Sequence, residues 1–228
     1  MDIGILETGK PPAPLLARFG GYPAMFADLL GPGFTIASYD VQAGELPPSA
    51  QAHPGYLVTG SRAGVYEEHP WIAPLKAFLR DAKGKAKLVG ICFGHQIMAE
   101  AFGGRVEKSQ RGWGVGLQTL EVCGTAPFLG NEERVSIPAS HQDQIVVQPP
   151  GSRVLARNAF SPFGVLAYED QPALSLQFHP EFTPEFAKAL VEARRGDLPD
   201  PDAAITSLDQ PNDRPAVAAW IRRFLRGG

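Results

Sequence analysis

The chain has 228 residues, 44% of them hydrophobic, which is enough for one well-buried domain spanning 1–228. A formal net charge of −3 leaves no electrostatic footprint for nucleic acid. No apolar run approaches the ~20 residues of a membrane span, and two cysteines, Cys92 and Cys123, make no disulfide framework. Met1-Asp2 leads straight into a strand, so no signal peptide is expected, and a reducing cytoplasm fits the cysteine usage.

Ile3 to Leu6 reads as a first strand, followed by a loop rich in Pro and Gly from Glu7 to Gly21. Tyr22 to Leu30 reads as a helix stopped by Gly31-Pro32-Gly33, and Phe34 to Ala37 as a second strand. Gly55 to Thr59 is a third strand, Trp71 to Ala82 a helix, and Leu88 to Ile91 a fourth strand. The helix after it is Ile97 to Phe102, stopped by Gly103-Gly104. Strands alternating with helices imply an α/β fold, a parallel sheet covered on both faces, with ligands at the carboxyl ends of the strands.

The second half changes character. Trp113 to Val122, Arg134 to Pro138, Ile145 to Val147, Val154 to Arg157, Val165 to Tyr168 and Leu174 to Phe178 read as short strands between turns. They are expected to extend the same sheet, largely antiparallel. Thr183-Pro184-Glu185 opens a helix to Arg195, Gly196 to Pro215 reads as a surface loop, and Ala216 to Leu225 as a final amphipathic helix. Its stripe of Val217, Trp220, Ile221 and Phe224 suits core packing.

The strongest chemical signal is Gly90-Ile91-Cys92-Phe93-Gly94-His95-Gln96, set between a buried strand and a helix. A nucleophile at such a corner is held on a sharp turn above the sheet end. Side chains at Gly90 or Gly94 would clash at so tight a bend. The first N–H groups of the helix point at the reacting atom and favour negative charge there. A cysteine nucleophile needs a base, and the base an orienting group. Leu174 to Phe178 ends at His179-Pro180-Glu181, which brings a histidine to a strand end with a carboxylate two residues on. No His or Cys pair has metal-site spacing.

The pair of motifs resembles the class I glutamine amidotransferases of the Cys-His-Glu type. Two further segments support the likeness. Tyr56-Leu57-Val58-Thr59-Gly60-Ser61 is similar to the family's strand and oxyanion loop, and Ser140-His141-Gln142-Asp143 to its segment that holds the substrate's α-amino and α-carboxyl groups. The resemblance runs from the first strand to about Phe186. It implies a flavodoxin-like single domain with a mostly parallel central sheet flanked by helices and an antiparallel extension. It also implies that Cys92 attacks the substrate's δ-carbonyl, that His179 activates the thiol and protonates the leaving amine, and that Glu181 orients His179. The amides of Phe93 and Gly60 would form the oxyanion hole, and Gln96 would lie near the substrate's amino-acid end. Many members carry a glycine pair and a proline in the oxyanion loop. Here Gly60 is followed by Ser61-Arg62-Ala63-Gly64, which leaves open which amide is the second donor. This version is similar to stand-alone amidotransferase-like proteins and plant γ-glutamyl peptidases.

Three readings follow. The first is a hydrolase releasing ammonia from glutamine for a synthase partner that the sequence does not name. The second is a self-contained γ-glutamyl peptidase acting on a small-molecule γ-glutamyl substrate. The third is a non-catalytic binding protein, against which Cys92, His179 and Glu181 all argue. None of the chemistry needs a cofactor. Other features are expected to be structural. Gly112 to Gly116 reads as a strand start, His53 and His69 as surface residues, and His95 as pointing away from Cys92. Cys123 reads as a packed strand residue, and Arg194-Arg195 and Arg222-Arg223 as solvated helix faces. Tyr66 and Glu67 suit either pocket lining or loop packing.

Overall fold

Adjacent apolar residues in the first-half strands face opposite sides of a sheet, and both sides must be covered. The computed structural model, which describes residues 1–227, shows how. The strands are β1 (Asp2–Glu7), β2 (Thr35–Asp40), β3 (Gly55–Val58), β4 (Lys87–Ile91), β5 (Arg105–Lys108) and β6 (Gly114–Val122). They continue as β7 (Arg134–His141), β8 (Asp143–Val147), β9 (Ser152–Arg157), β10 (Val165–Tyr168) and β11 (Ala173–Leu176). The helices are α1 (Ala13–Phe19), α2 (Tyr22–Leu30), α3 (Ile72–Ala82), α4 (Phe93–Ala101), α5 (Pro184–Ala193), α6 (Pro201–Ser207) and α7 (Arg214–Arg226).

Nine strands form one sheet in the order β2-β1-β3-β4-β11-β10-β9-β6-β7. The first five run parallel, and the remaining neighbours pair antiparallel. Ile3, Ile5, Leu57, Val89 and Ile91 face one layer, where they meet Phe26, Phe186 and Trp220 from α2, α5 and α7. Leu6, Tyr56, Val58 and Leu88 face the other, against Leu75, Leu79 and Ile97 from α3 and α4. The α7 stripe of Val217, Trp220, Ile221 and Phe224 is buried, as core packing requires.

Several elements depart from the sequence-based expectation. The loop from Glu7 to Gly21 contains α1, entered from Pro12 with Pro14 in its first turn, where a missing N–H costs nothing. Phe19 at its end meets Phe186 edge-on, so packing holds this short helix. The stretch from Gly196 to Pro215 contains α6, whose Asp200 side chain accepts from the Ala203 amide as an N-cap. α4 begins at Phe93, immediately after Cys92, rather than at Ile97. β8 does not join the main sheet. It pairs antiparallel with β5, a strand too polar to show an apolar alternation, in a separate two-stranded sheet. Cys123 lies just past β6 and is exposed, not packed.

Candidate active site

The corner between β4 and α4 explains both glycines of Gly-x-Cys-x-Gly. A Cβ on Gly90 would lie 2.5 Å from the Gly94 carbonyl oxygen, and one on Gly94 would lie 2.3 Å from that of Val58. Cys92 between them has φ 54° and ψ −103°, and it is the one non-glycine residue with positive φ among the described residues. Such backbone costs on the order of 1–3 kcal/mol and persists only where the surroundings over-determine it. They do here: the Cys92 amide donates to the Leu176 carbonyl of β11 at 2.8 Å, and the Gly94 amide to that of Thr59 at 3.2 Å. Gly94→Ala should therefore push α4 off β3, a backbone clash with no side chain to yield. The expected loss is about 3 kcal/mol, seen as a melting temperature lower by roughly 5–10 °C. An unchanged melting curve would contradict the geometry.

His179 arrives from the neighbouring strand. Its amide donates to the Pro138 carbonyl at 2.9 Å, and its Nδ1–H donates to Glu181 Oε1 at 2.7 Å. The imidazole stacks on Phe182 with centroids 4.0 Å apart and planes 5° from parallel. One ion pair and one ring face thus define its orientation. Cys92, His179 and Glu181 are 5%, 4% and 2% exposed, so solvent does little to screen their charges. A Cβ on Gly60 would sit 3.2 Å from His179 Cε1 and 3.8 Å from Cys92 Cβ, so loop, ring and cysteine converge on one point. Burial alone would lower the His179 pKa. The neighbouring Glu181 and Cys92, with the Glu181 hydrogen bond, outweigh burial and push the value up to about 10.

The Gly60 loop is fastened to the end of β1. The Thr8 amide donates to Thr59 Oγ1 at 3.0 Å, and the Thr8 hydroxyl to the Thr59 carbonyl at 2.9 Å. The amides of Gly60, Ser61 and Phe93 have no acceptor among the described residues, which leaves three donors free near Cys92.

A cavity of about 190 Å³ opens beside Cys92, lined by Gln96, Ser140, Gln142, Asp143, Tyr66 and Arg194 among others. Cys92, Gln96, Ser140, His141, Gln142 and Asp143 line this cavity, and Gly60 and His179 line a crevice shared with Cys92 and Ser140. Gln96 donates through Nε2 to the Asp143 carbonyl at 2.9 Å and to Gln177 Oε1 at 3.1 Å, which ties α4 to the start of β8 and to the segment after β11. The Ser140 hydroxyl accepts from Arg194 Nη1 at 2.8 Å. The His141 ring lies edge-on between Phe160 and Phe178. Its Nδ1 meets the Asp143 carbonyl at 3.2 Å, and burial pushes its pKa down to about 4. The Gln142 carbonyl accepts from the Ser109 amide. Asp143 Oδ1 accepts from the Tyr66 hydroxyl at 3.1 Å, a bridge from the loop after β3. Burial raises the Asp143 pKa against the opposing effects of Tyr66 and Lys108. Tyr66 and Glu67 both line the cavity.

His95 points away, with Nδ1 2.7 Å from Ser175 Oγ on β11, and burial pushes its pKa down to about 3. It is a neutral packing group. His69 is exposed beside Glu67, while His53 is half-buried with Nε2 2.8 Å from the Tyr39 hydroxyl. Arg195 pairs in the open with Glu192 and Asp202. Arg194 does not belong to a solvated face: it is half-buried and lines the cavity. Arg62 lines it too. Two consecutive arginines at a helix end carry no sign of which one turns inward.

Fold and site together define an α/β protein with a cysteine on an elbow above the carboxyl edge of a parallel sheet. Residues 55–194 match the family model for glutamine amidotransferase class-I, and the chain belongs to that family. It is 28% identical, over 98% of both chains, to a glutamine amidotransferase-like protein of Schizosaccharomyces pombe. It is 30% identical to γ-glutamyl peptidase 4 of Arabidopsis thaliana, over 72% of this chain and 69% of that one. A solved glutamine amidotransferase structure from Thermotoga maritima superposes with a TM-score of 0.78 at 17% identity, covering 99% of this chain and 98% of the other. No helix among the described residues is long and apolar enough to cross a membrane.

Proposed function

We propose that the protein is a thiol-dependent amidohydrolase that cleaves a γ-glutamyl amide through a γ-glutamyl thioester. What carries this reading is the convergence at one corner of strained Cys92, the Gly60 loop and a His179 held by Glu181 at 2.7 Å. The cysteine sulfur attacks the δ-carbonyl carbon, and the oxyanion that forms accepts from the free amides of Phe93 and of Gly60 or Ser61. One such donor is worth about 10²–10³ in rate. His179 holds a proton at neutral pH, given its raised pKa. It delivers that proton to the departing nitrogen as the C–N bond breaks and the thioester forms. Neutral His179 then takes a proton from water, whose oxygen attacks the thioester. Glutamate leaves, and the sulfur recovers its negative charge beside the imidazolium.

The leaving group separates two forms of this reading, ammonia for a synthase partner or an amino acid from a γ-glutamyl peptide. A panel of glutamine and γ-glutamyl dipeptides, scored for hydrolysis by the isolated chain, tests both. Fast dipeptide cleavage without a partner selects the peptidase. No turnover of any γ-glutamyl compound, even with candidate synthases added, overturns the reading.

Recognition of the γ-glutamyl head makes a further expectation. Asp143 lines the cavity and suits the α-ammonium, whose charge would be costly to bury unpaired. An N-acetylated γ-glutamyl substrate should react about 100-fold more slowly than the free amine. Asp143→Ala should narrow that gap by slowing the free amine alone. Equal rates for both substrates with the unaltered protein would remove the γ-glutamyl head from the pocket.

A further inference from the structure

Arg194 is a half-buried cation without an anionic partner. It stands at the end of α5, has no carboxylate within ion-pair distance among the described residues, and donates only to the Ser140 hydroxyl at 2.8 Å. Its guanidinium carbon also lies 5.8 Å from the centroid of Trp113, which lines the same cavity. A guanidinium has five N–H donors in a planar fork, and one neutral hydroxyl leaves most of that capacity unused. A charge taken partly out of water without a counterion is disfavoured, and burial does lower the Arg194 pKa. Tyr22, Cys92 and Asp197 oppose this without overcoming it, and a second cation, Arg62, adds to it. Arg62 also forms no ion pair among the described residues. The remaining arginines of the C-terminal region bind protein groups: Arg195 pairs with acids, while Arg214, Arg222, Arg223 and Arg226 donate to backbone carbonyls. Half-buried Arg194 and exposed Arg62, neither in an ion pair among the described residues, stand beside a cavity that reaches Cys92 and are complementary to an anion brought by the ligand.

We propose that Arg194, backed by Arg62, is the carboxylate-binding residue of this cavity and sets substrate specificity by demanding a carboxylate there. The inference rests on the γ-glutamyl reading above and deepens it. A planar carboxylate accepts two parallel bonds from the guanidinium fork, and Arg194 need not give up Ser140 to make them. The substrate offers two sources, the α-carboxylate of the γ-glutamyl group and the carboxylate of a leaving amino acid. Arg194 lines both the main cavity, with Gln96 and Asp143, and a narrow crevice shared with Cys92 and His179, so it stands between the two ends of a bound γ-glutamyl peptide. As a group that binds substrate and moves no proton, it acts on KM far more than on kcat.

Three substrates decide the matter: γ-glutamylglycine, its glycinamide counterpart without the leaving-group carboxylate, and its α-amide without the α-carboxylate. The wild type should reject one of the two neutralised compounds by about 10- to 100-fold in kcat/KM. Arg194→Gln should lose that discrimination by slowing the charged substrate, mainly through KM, while the other ratio stays put. Collapse of the glycinamide ratio assigns the leaving-group carboxylate, and collapse of the α-amide ratio assigns the α-carboxylate. Arg194→Lys should restore part of the loss, and Arg62→Gln should reproduce a smaller version of it. An equal loss on all three substrates, or no change in either ratio, would overturn the proposal and leave Arg194 as a prop for Ser140. If the wild type cleaves none of the three, the γ-glutamyl reading fails on its own. Glutarate, titrated by chemical-shift perturbation, then reads the carboxylate site directly. It should bind the wild type at least about 10-fold more tightly than Arg194→Gln, and equal binding or none overturns the site.

Discussion

Cys92→Ala should lower hydrolysis of the best γ-glutamyl substrate by at least about 10⁴-fold while leaving the fold intact. Loss of the sulfur removes the thioester, and the residual rate would come from the oxyanion donors and substrate binding alone. A glutamine-like electrophile should add one label to the wild type and none to the variant. Cys123 is the more exposed of the two cysteines, so labelling there would show up readily in a peptide map. Label that persists in Cys92→Ala would remove the proposed nucleophile. The same position offers a stability readout. Cys92 holds φ 54°, which a Cβ disfavours. Cys92→Gly should therefore be at least as stable as Cys92→Ala, by up to about 1 kcal/mol, the reverse of the usual order. A Cys92→Gly protein that melts well below Cys92→Ala would show that the elbow is not strained.

His179→Asn should cost about 10³–10⁴-fold in kcat, because the reaction loses both its proton donor and its later acceptor. Glu181→Gln should be milder, about 10²-fold, since the imidazole remains and still stacks on Phe182. Equal losses would mean that Glu181 does more than orient and stabilise the ring. The pair also carries a pH signature. His179 is raised from its ordinary 6.5 to about 10 in the folded protein. The folded state therefore binds the proton more tightly than the unfolded state. That contribution to stability is complete below about pH 6.5 and is lost as pH rises through 10. The stability gap between wild type and Glu181→Gln should shrink steadily over that window. A gap that widens with pH would mean that the imidazole is neutral in the folded protein.

The chemistry-bearing residues were legible in the chain because their constraints are local. Gly90, Cys92 and Gly94 sit within one turn: a Cβ on Gly90 would meet the Gly94 carbonyl four residues on, a local clash, and only the demand at Gly94, against Val58 of β3, comes from another element. His179 and Glu181 lie two residues apart, and the 2.7 Å bond between them needs no distant element. The period-2 apolar strands set the two-sided parallel sheet for the same reason, since each strand carries its own pattern. Elements without a pattern of their own were not legible. α1 and α6 have seven residues each, begin in prolines and are held by packing and a cap, so their segments read as loops. β5 is a polar strand that exists because β8 pairs with it.

The same distinction applies within the site. Ser140, His141 and Gln142 were visible as a motif, but their partners come from segments far away in the chain, among them Arg194, Phe178 and Ser109. Arg194 and Arg195 are adjacent and chemically identical in sequence. Tertiary packing turns one toward Ser140 and the cavity and leaves the other on the surface with Glu192 and Asp202. The elbow, the His-Glu pair and the layered sheet are therefore written into the chain, through short-range sterics and periodicity. Which charges face the cavity emerges only on folding. That depends on where separate elements meet, and long-range packing leaves no mark on a pair of like neighbours.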